Sequence, residues 1–266
     1  MEPATLNPAL NPAFDATLLS LVEDAGLNAS APPQQRWVDG WLVRFSPGKA
    51  KRARCVNAVA VGRLPLTARL DACAQVLAQA GLPLIVRITP FTQPAGLDAL
   101  LEQQGLRRFD DTRVMVLESL PDGVPPPAPK VTVQTLGLEA FAQRVGSLRG
   151  SPLAQRQAHA QRLASSPVPF FACELRVDGE PLACGQFAVE GNLAGLYDVY
   201  TASGARGRGL AATLCRHLLM QARAHGARHA YLQVEADNLA ARSVYRRLGF
   251  ADGYAYHYRT LDPAAA

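Results

Sequence analysis

No stretch of this 266-residue chain is a long apolar run. None approaches the ~20 uninterrupted apolar residues of a membrane-spanning helix. The first twenty residues carry Glu2 and Asp15 without a continuous apolar core, so a secretory leader is not expected. Cysteines are sparse: Cys55, Cys73, Cys173, Cys184 and Cys215. None stands in a CxxC pair and their number is odd, which favours unpaired thiols in a reducing compartment. A cytoplasmic location follows as the expectation. The five histidines include no HExxH, and His225 and His229, four apart, are separated by the helix-breaking Gly226. A metal site is therefore not expected. Charge of either sign is also limited, with 18% charged residues and a net +5. That balance suits an anionic ligand but does not establish nucleic-acid binding. Against these absences stand 48% hydrophobic residues, enough for one large or two modest folded domains.

The most informative stretch is Thr201 to Ala211, TASGARGRGLA. Ala194 to Thr201 reads as a strand before it and Ala211 to His225 as a helix after it. Ala211, Leu214, Cys215, Leu218, Leu219 and Ala222 recur at the spacing of one buried helical stripe. Gly226 is placed to cap the helix end. A strand, a glycine loop with Gly207 and Gly209, and a helix form an anion-holding arrangement. Glycine lets backbone approach the ligand, and the first-turn N–H groups and the helix dipole face it. Arg206 and Arg208 add positive charge. The loop is neither GxxxxGK(S/T) nor a complete GxGxxG, because Ala212 stands at the third glycine position. The plainer alternative is a glycine-softened turn between strand and helix. A second segment lies downstream. Arg228 to Glu235 reads as a strand, followed by Asn238-Leu-Ala-Ala-Arg-Ser-Val-Tyr245-Arg-Arg-Leu-Gly249-Phe250. Asp237 or Asn238 can cap this short helix and Gly249 can end it.

Both segments resemble the GNAT N-acetyltransferase superfamily. Arg206, Gly209 and Ala211 stand at the defining positions of its pyrophosphate loop, R/Q-x-x-G-x-G/A. Asn238, Ala241, Tyr245, Gly249 and Phe250 match its second signature, N-x-x-A-x-x-x-Y-x-x-x-G-F. The resemblance implies an enzyme that transfers an acetyl group from acetyl-CoA directly to a primary amine in a ternary complex. On that reading, backbone groups of Val199, Tyr200 and Thr201 hold pantetheine and the thioester carbonyl. Arg206, Gly207, Arg208, Gly209, Leu210 and Ala211 hold the pyrophosphate, and Asn238 contacts CoA. Tyr245 is the expected general acid, since a phenol stays protonated at neutral pH. Its alternative is a packed aromatic, and that of Asn238 a plain helix cap. Asp198 is the first choice for general base, with Glu190 and Glu235 as alternatives. The expected partners are a small-molecule or peptide amine, with no membrane, no nucleic acid, and a monomer or homodimer. A competing reading is a non-catalytic acyl-CoA sensor.

From the N-terminus, Phe14 to Ala25 reads as a helix stopped by Gly26, and Trp37 to Phe45 as a strand. Ser46-Pro-Gly48 reads as a turn, and Lys49 to Arg54 as a basic run, either a ligand edge or a solvated hairpin. Val56 to Val61 is a strand, Leu66 to Ala80 a helix, Leu82 to Thr89 a strand, Gly96 to Gln104 a short helix and Phe109 to Glu118 a strand. Val131 to Leu136, Phe170 to Val177, Leu182 to Val189 and Leu193 to Thr201 read as strands. Leu138 to Leu148 and Ala154 to Leu163 read as helices. The segment from Gly81 to Phe109 lies over that from Gly226 to Tyr254, so the fold class expected is α/β (α+β), two tandem GNAT-like domains, each a mixed sheet flanked by helices. The expected boundaries are 1–118, a proline-rich linker at 119–130, and 131–266. The first copy lacks the phosphate loop and carries Leu101 at the position of Tyr245, so it is expected to be non-catalytic.

Overall fold

A computed structural model of the chain describes residues 9–45, 50–123 and 130–265. The turn read at Ser46-Pro-Gly48 and residues 124–129 of the proline-rich linker lie outside the described residues. The chain forms two compact units, one of residues 1–21, 30–114 and 252–266, the other of 22–29 and 115–251. These do not coincide with the boundaries expected from sequence. The C-terminal strand belongs with the first unit, and the end of the N-terminal helix belongs with the second.

In the first unit the strands run in the order β1 (Gln34–Val38), β2 (Trp41–Phe45), β3 (Val56–Asn57), β4 (Val86–Ile88), β11 (Ala251–Thr260), β5 (Arg107–Leu117), and residues beyond Val114 of β5 count with the second unit. The single strand expected over 37–45 is a hairpin. Asp39 and Gly40 take positive φ, 44° and 82°, and fold β1 back on β2 as Asp-Gly turns do. Helix α2 (Leu66–Gln79) buries Leu70, Cys73 and Leu77 against Trp41, Val43, Val86 and Ile88. The short helix α3 is Leu97–Gln103. β11 pairs antiparallel with β4, His257 opposite Ile88. Of the basic run, Lys49 lies outside the described residues. Lys51 Nζ lies 3.0 Å from Asp110 and Arg52 donates to the Tyr256 hydroxyl, so both charges have partners within the unit.

In the second unit the order is β5, β10 (His229–Glu235), β9 (Leu193–Thr201), β8 (Glu180–Glu190), β7 (Phe170–Val177), β6 (Val131–Leu136). β6 to β9 are successive antiparallel neighbours, and β10 joins β9 in parallel. Strand alternation splits the side chains between two faces. Cys173, Leu175, Ala183, Phe187 and Leu196 pack with α6 (Leu210–Ala224), whose buried stripe is Leu210, Leu214, Cys215, Leu218, Leu219 and Ala222. Ala172, Cys184 and Ala188 form a core with Phe141 and Val145 of α4 (Leu138–Arg149) and Leu163 of α5 (Leu153–Ala164). The last helix, α7, is Leu239–Arg247. Helix α1 runs from Ala16 to Ala29, straight through Gly26, the residue expected to stop it. A Cβ at Gly26 would lie 2.8 Å from Nε2 at the flexible end of the Gln233 side chain on β10.

Candidate active site

The ladder between β9 and β10 covers four residue pairs and ends at Leu196 opposite Leu232. Both strands continue, to Thr201 and Glu235. Beyond the ladder β9 carries Val199, Tyr200 and Thr201, whose backbone is expected to hold an extended ligand arm. Thr201 Oγ1 is buried with no hydrogen-bond partner among the described residues. One helical turn, Ser203–Ala205, then leads to Arg206 and the glycine loop. Gly207 and Gly209 take φ of 76° and 75°, the left-handed region that glycine enters without strain. A Cβ at either would meet nothing within 4 Å, so the loop's outer side is open. Gly209 is the N-cap of α6; Leu210 is buried below it, Ala211 is half-buried and Arg208 is exposed. Arg206 reaches back over β9, with its guanidinium 5.6 Å from the Tyr200 ring centroid and its Nε 3.4 Å from the Thr201 carbonyl. Open backbone donors, two arginines and an unpartnered hydroxyl fit the phosphates and amide-bearing arm of a CoA thioester.

Asp198 sits at a β-bulge. Gln186 faces Tyr197 and Cys184 faces Tyr200, so Gly185 alone opposes Asp198 and Val199. Asp198 has φ of 51°. The bulge turns its carboxylate to the α4–α5 side, while Val199 packs with the α6 core. There Oδ1 accepts from Arg149 Nη1 at 3.0 Å, and Oδ2 accepts from Gln186 Nε2 at 2.8 Å and lies 3.2 Å from His159 Nε2. Burial alone would raise the Asp198 pKa. His159, Arg149 and Arg162 outweigh it and hold the carboxyl far below the ordinary carboxylate range. A carboxylate so stabilised is a weak proton acceptor, which argues against the base role expected for Asp198.

The alternative bases stand apart from this cluster. Glu190 Oε1 accepts from Asn28 at 2.8 Å, and Glu235 is an exposed strand end. Asn238 is a helix cap, its Oδ1 accepting the Ala241 N–H at 3.1 Å. Tyr245, on α7, packs its ring edge-on to Phe250 and against the α6 core. Burial, with Cys215 beside it, pushes its phenol above the usual tyrosine value, so the proton stays on the oxygen at neutral pH. Arg149, His159 and Gln186 were not among the residues selected from sequence. Their meeting at Asp198 depends on the bulge and on how α4 and α5 cross the sheet, and no local pattern carries either. Among the described residues no helix is long and apolar enough to cross a membrane, and no group of three or more His, Cys, Asp or Glu is placed to hold a metal ion.

The profile of the acetyltransferase (GNAT) family matches residues 140–250, the segment that contains the bulge, the glycine loop and Tyr245. The chain carries a GNAT-family domain. Two curated relatives match parts of it. One is an uncharacterized N-acetyltransferase, YobR, from Bacillus subtilis (strain 168), 36% identical over 77 residues. The other is a mycothiol acetyltransferase from Corynebacterium glutamicum (strain R), 51% identical over 55 residues. The matches cover 29% and 21% of this chain and span only 31% and 19% of those relatives' lengths. Solved structures extend the likeness to nearly the whole chain. A GCN5-related N-acetyltransferase from Kribbella flavida superposes with a TM-score of 0.69 at 19% identity, covering 93% of this chain and 95% of its own. A tandem GNAT protein from the clavulanic acid biosynthesis pathway gives 0.62 at 16% identity, covering 97% and 99%. At these identities the likeness concerns the fold, and the fold is that of GNAT proteins, including a tandem one.

Proposed function

We propose that the chain is an N-acetyltransferase that moves an acetyl group from acetyl-CoA to a primary amine in a ternary complex. The observation that carries this reading is the end of the β9–β10 ladder at Leu196 and Leu232, beyond which the unpaired end of β9 and one helical turn lead to the open glycine loop at the head of α6. The gap between the strands offers backbone groups of Val199, Tyr200 and Thr201 to pantetheine and the thioester carbonyl. Arg206 to Ala211 receive the pyrophosphate, and Asn238 flanks it. Tyr245 holds a proton for the departing thiolate. Five free, buried cysteines accord with a reducing, cytoplasmic setting. The acceptor is a small-molecule or peptide amine, and the protein is a monomer or homodimer.

The first half, in this reading a degenerate copy, takes no part in the chemistry. From Val56, paired with Val86, to the head of α2 is ten residues, whereas from Gly195, paired with the corresponding Tyr231, to the head of α6 is fifteen. The shorter connection leaves no room for the glycine loop. Two of its N–H groups, those of Arg63 and Leu64, already donate to the Asp39 carboxylate at 2.8 Å.

Calorimetry with acetyl-CoA tests the proposal on the wild type, on Gly209→Glu and on Arg206→Glu, the last free of backbone strain. About one site in the wild type and loss of affinity in both variants is the expected result. No binding by the wild type overturns it. A non-catalytic acyl-CoA sensor would bind equally well but release no CoA with any amine. A tyrosine at the signature position, Tyr245, favours the enzyme, because binding alone needs no acid.

A further inference from the structure

We propose that His159 takes the proton from the acceptor amine, held in place for that task by Asp198. The inference rests on the acetyl-transfer reading above and assigns the base that reading leaves open.

His159 projects from α5 toward the β9 bulge, with Nε2 3.2 Å from Asp198 Oδ2. Nε2 is fully covered and, although close to Asp198, makes no aligned hydrogen bond with it; the side chain as a whole keeps 17% of its surface exposed. The Phe141 ring of α4 stands edge-on at 6.2 Å and restricts the imidazole plane. The charged groups around the pair are Asp198 on β9, Arg149 on α4 and Arg162 on α5; β8 contributes the neutral Gln186. Asp198 accepts from Arg149 and Gln186 while facing His159, so its oxygens have little freedom to reach an incoming amine. A carboxylate in that position can orient an imidazole. A small turn of the ring aims an Nε2–H at Asp198 and leaves the basic lone pair on Nδ1, the same division of labour as in the serine-hydrolase triad with the two nitrogens exchanged. α5 and the bulge face the same side of the sheet as Tyr197 and Tyr200, which pack into the α4–α5 core.

The step balances. The amine lone pair forms the C–N bond to the acetyl carbonyl carbon, and an N–H proton passes to His159 Nδ1. The C–S bond breaks with its electron pair on sulfur, which takes the Tyr245 phenol proton. Imidazolium and phenolate then return to neutrality by exchange with solvent.

The test uses the full chain. CoA release from acetyl-CoA is followed between pH 6 and 10 with a polyamine, an amino acid, an aminoglycoside and a peptide N-terminus as probes. His159→Gln keeps an amide to face Asp198 and should leave acetyl-CoA affinity unchanged. It should lower kcat by about 10²-fold or more at neutral pH and remove the acid limb of the pH profile. Asp198→Asn should retain more activity and displace that limb to lower pH, the behaviour of a positioning residue. A His159→Gln kcat within about threefold of wild type, with an unchanged profile, overturns the proposal. Failure of the wild type to bind acetyl-CoA instead overturns the acetyl-transfer reading. Nitrogen-15 spectra of the His159 ring need no acceptor. The Nε2–H tautomer with a bare Nδ1 supports the proposal, and the reverse tautomer sinks it.

Discussion

Arg259 Nε lies 2.6 Å from Asp98 Oδ1, across 161 residues of chain. Asp98 lies in the first turn of α3 and Arg259 near the end of β11, and both are buried. His257 Nε2 reaches the same oxygen at 2.8 Å, and Arg259 also donates to the Leu106 carbonyl. This network ties the last strand of the chain into the first unit, where it pairs with β4.

Asp98→Ala should therefore be among the most damaging substitutions. It removes the nearer, buried carboxylate and leaves the buried Arg259 guanidinium with only the exposed Glu102 at 3.3 Å, at a cost of about 3 kcal/mol. Chemical denaturation of wild type and variant measures it; a loss under about 1 kcal/mol would show the network to be incidental.

The same carboxylate sets an acid limit. Burial raises the Asp98 pKa, but hydrogen bonds from His257 and Arg259 outweigh it and bring the value to about 2. The folded value lies below the ordinary ~3.9, so its contribution is complete above about pH 4 and disappears as pH falls toward 2. It is worth about 2 kcal/mol by that linkage. The stability gap between wild type and Asp98→Asn should shrink across that window and stay level from pH 5 to 8.

Tyr245→Phe should lower kcat by about 10²-fold or more without weakening acetyl-CoA binding. The ring packing against Phe250 needs only the aromatic. Equal loss of affinity and turnover would mark Tyr245 as a packing residue only.

Gly195→Ala should disturb the strand gap from below. A Cβ there would stand 2.6 Å from side-chain carbons of Tyr197 and Tyr231, whose hydroxyls pair at 2.8 Å. The expected outcome is a stability loss of about 1–3 kcal/mol by overpacking and weaker acetyl-CoA binding in calorimetry. Wild-type values for both would show that the rings can part freely.

All five thiols are buried, and burial raises them: Cys55 and Cys173 to about 11, Cys73, Cys184 and Cys215 to about 12. Native protein at pH 8 should show no fast-reacting thiol with an aromatic disulfide reagent, and five once unfolded. A rapid single-thiol phase would reveal an accessible cysteine.

Features governed by near neighbours in the chain were legible in the sequence. The α6 stripe, the glycine loop at 206–211, the strands at 131–136, 170–177 and 193–201, and the capped helix after Asn238 all depend on residues a few positions apart. So did the loop and Tyr245 as site candidates, because fixed residue types at fixed spacing carried them. Local signals also mislead: the alternation over 37–45 hides the Asp39-Gly40 turn, and Gly26 lies inside α1 beside Gln233. Tertiary structure alone decided three things: that β11 lies beside β4, that the bulge at Asp198 turns its carboxylate toward α5, and that His159 meets it there. The reason is physical. Periodicity and caps depend on residues within one or two turns, whereas strand partners and buried charge pairs are chosen by packing and desolvation between segments far apart in the chain.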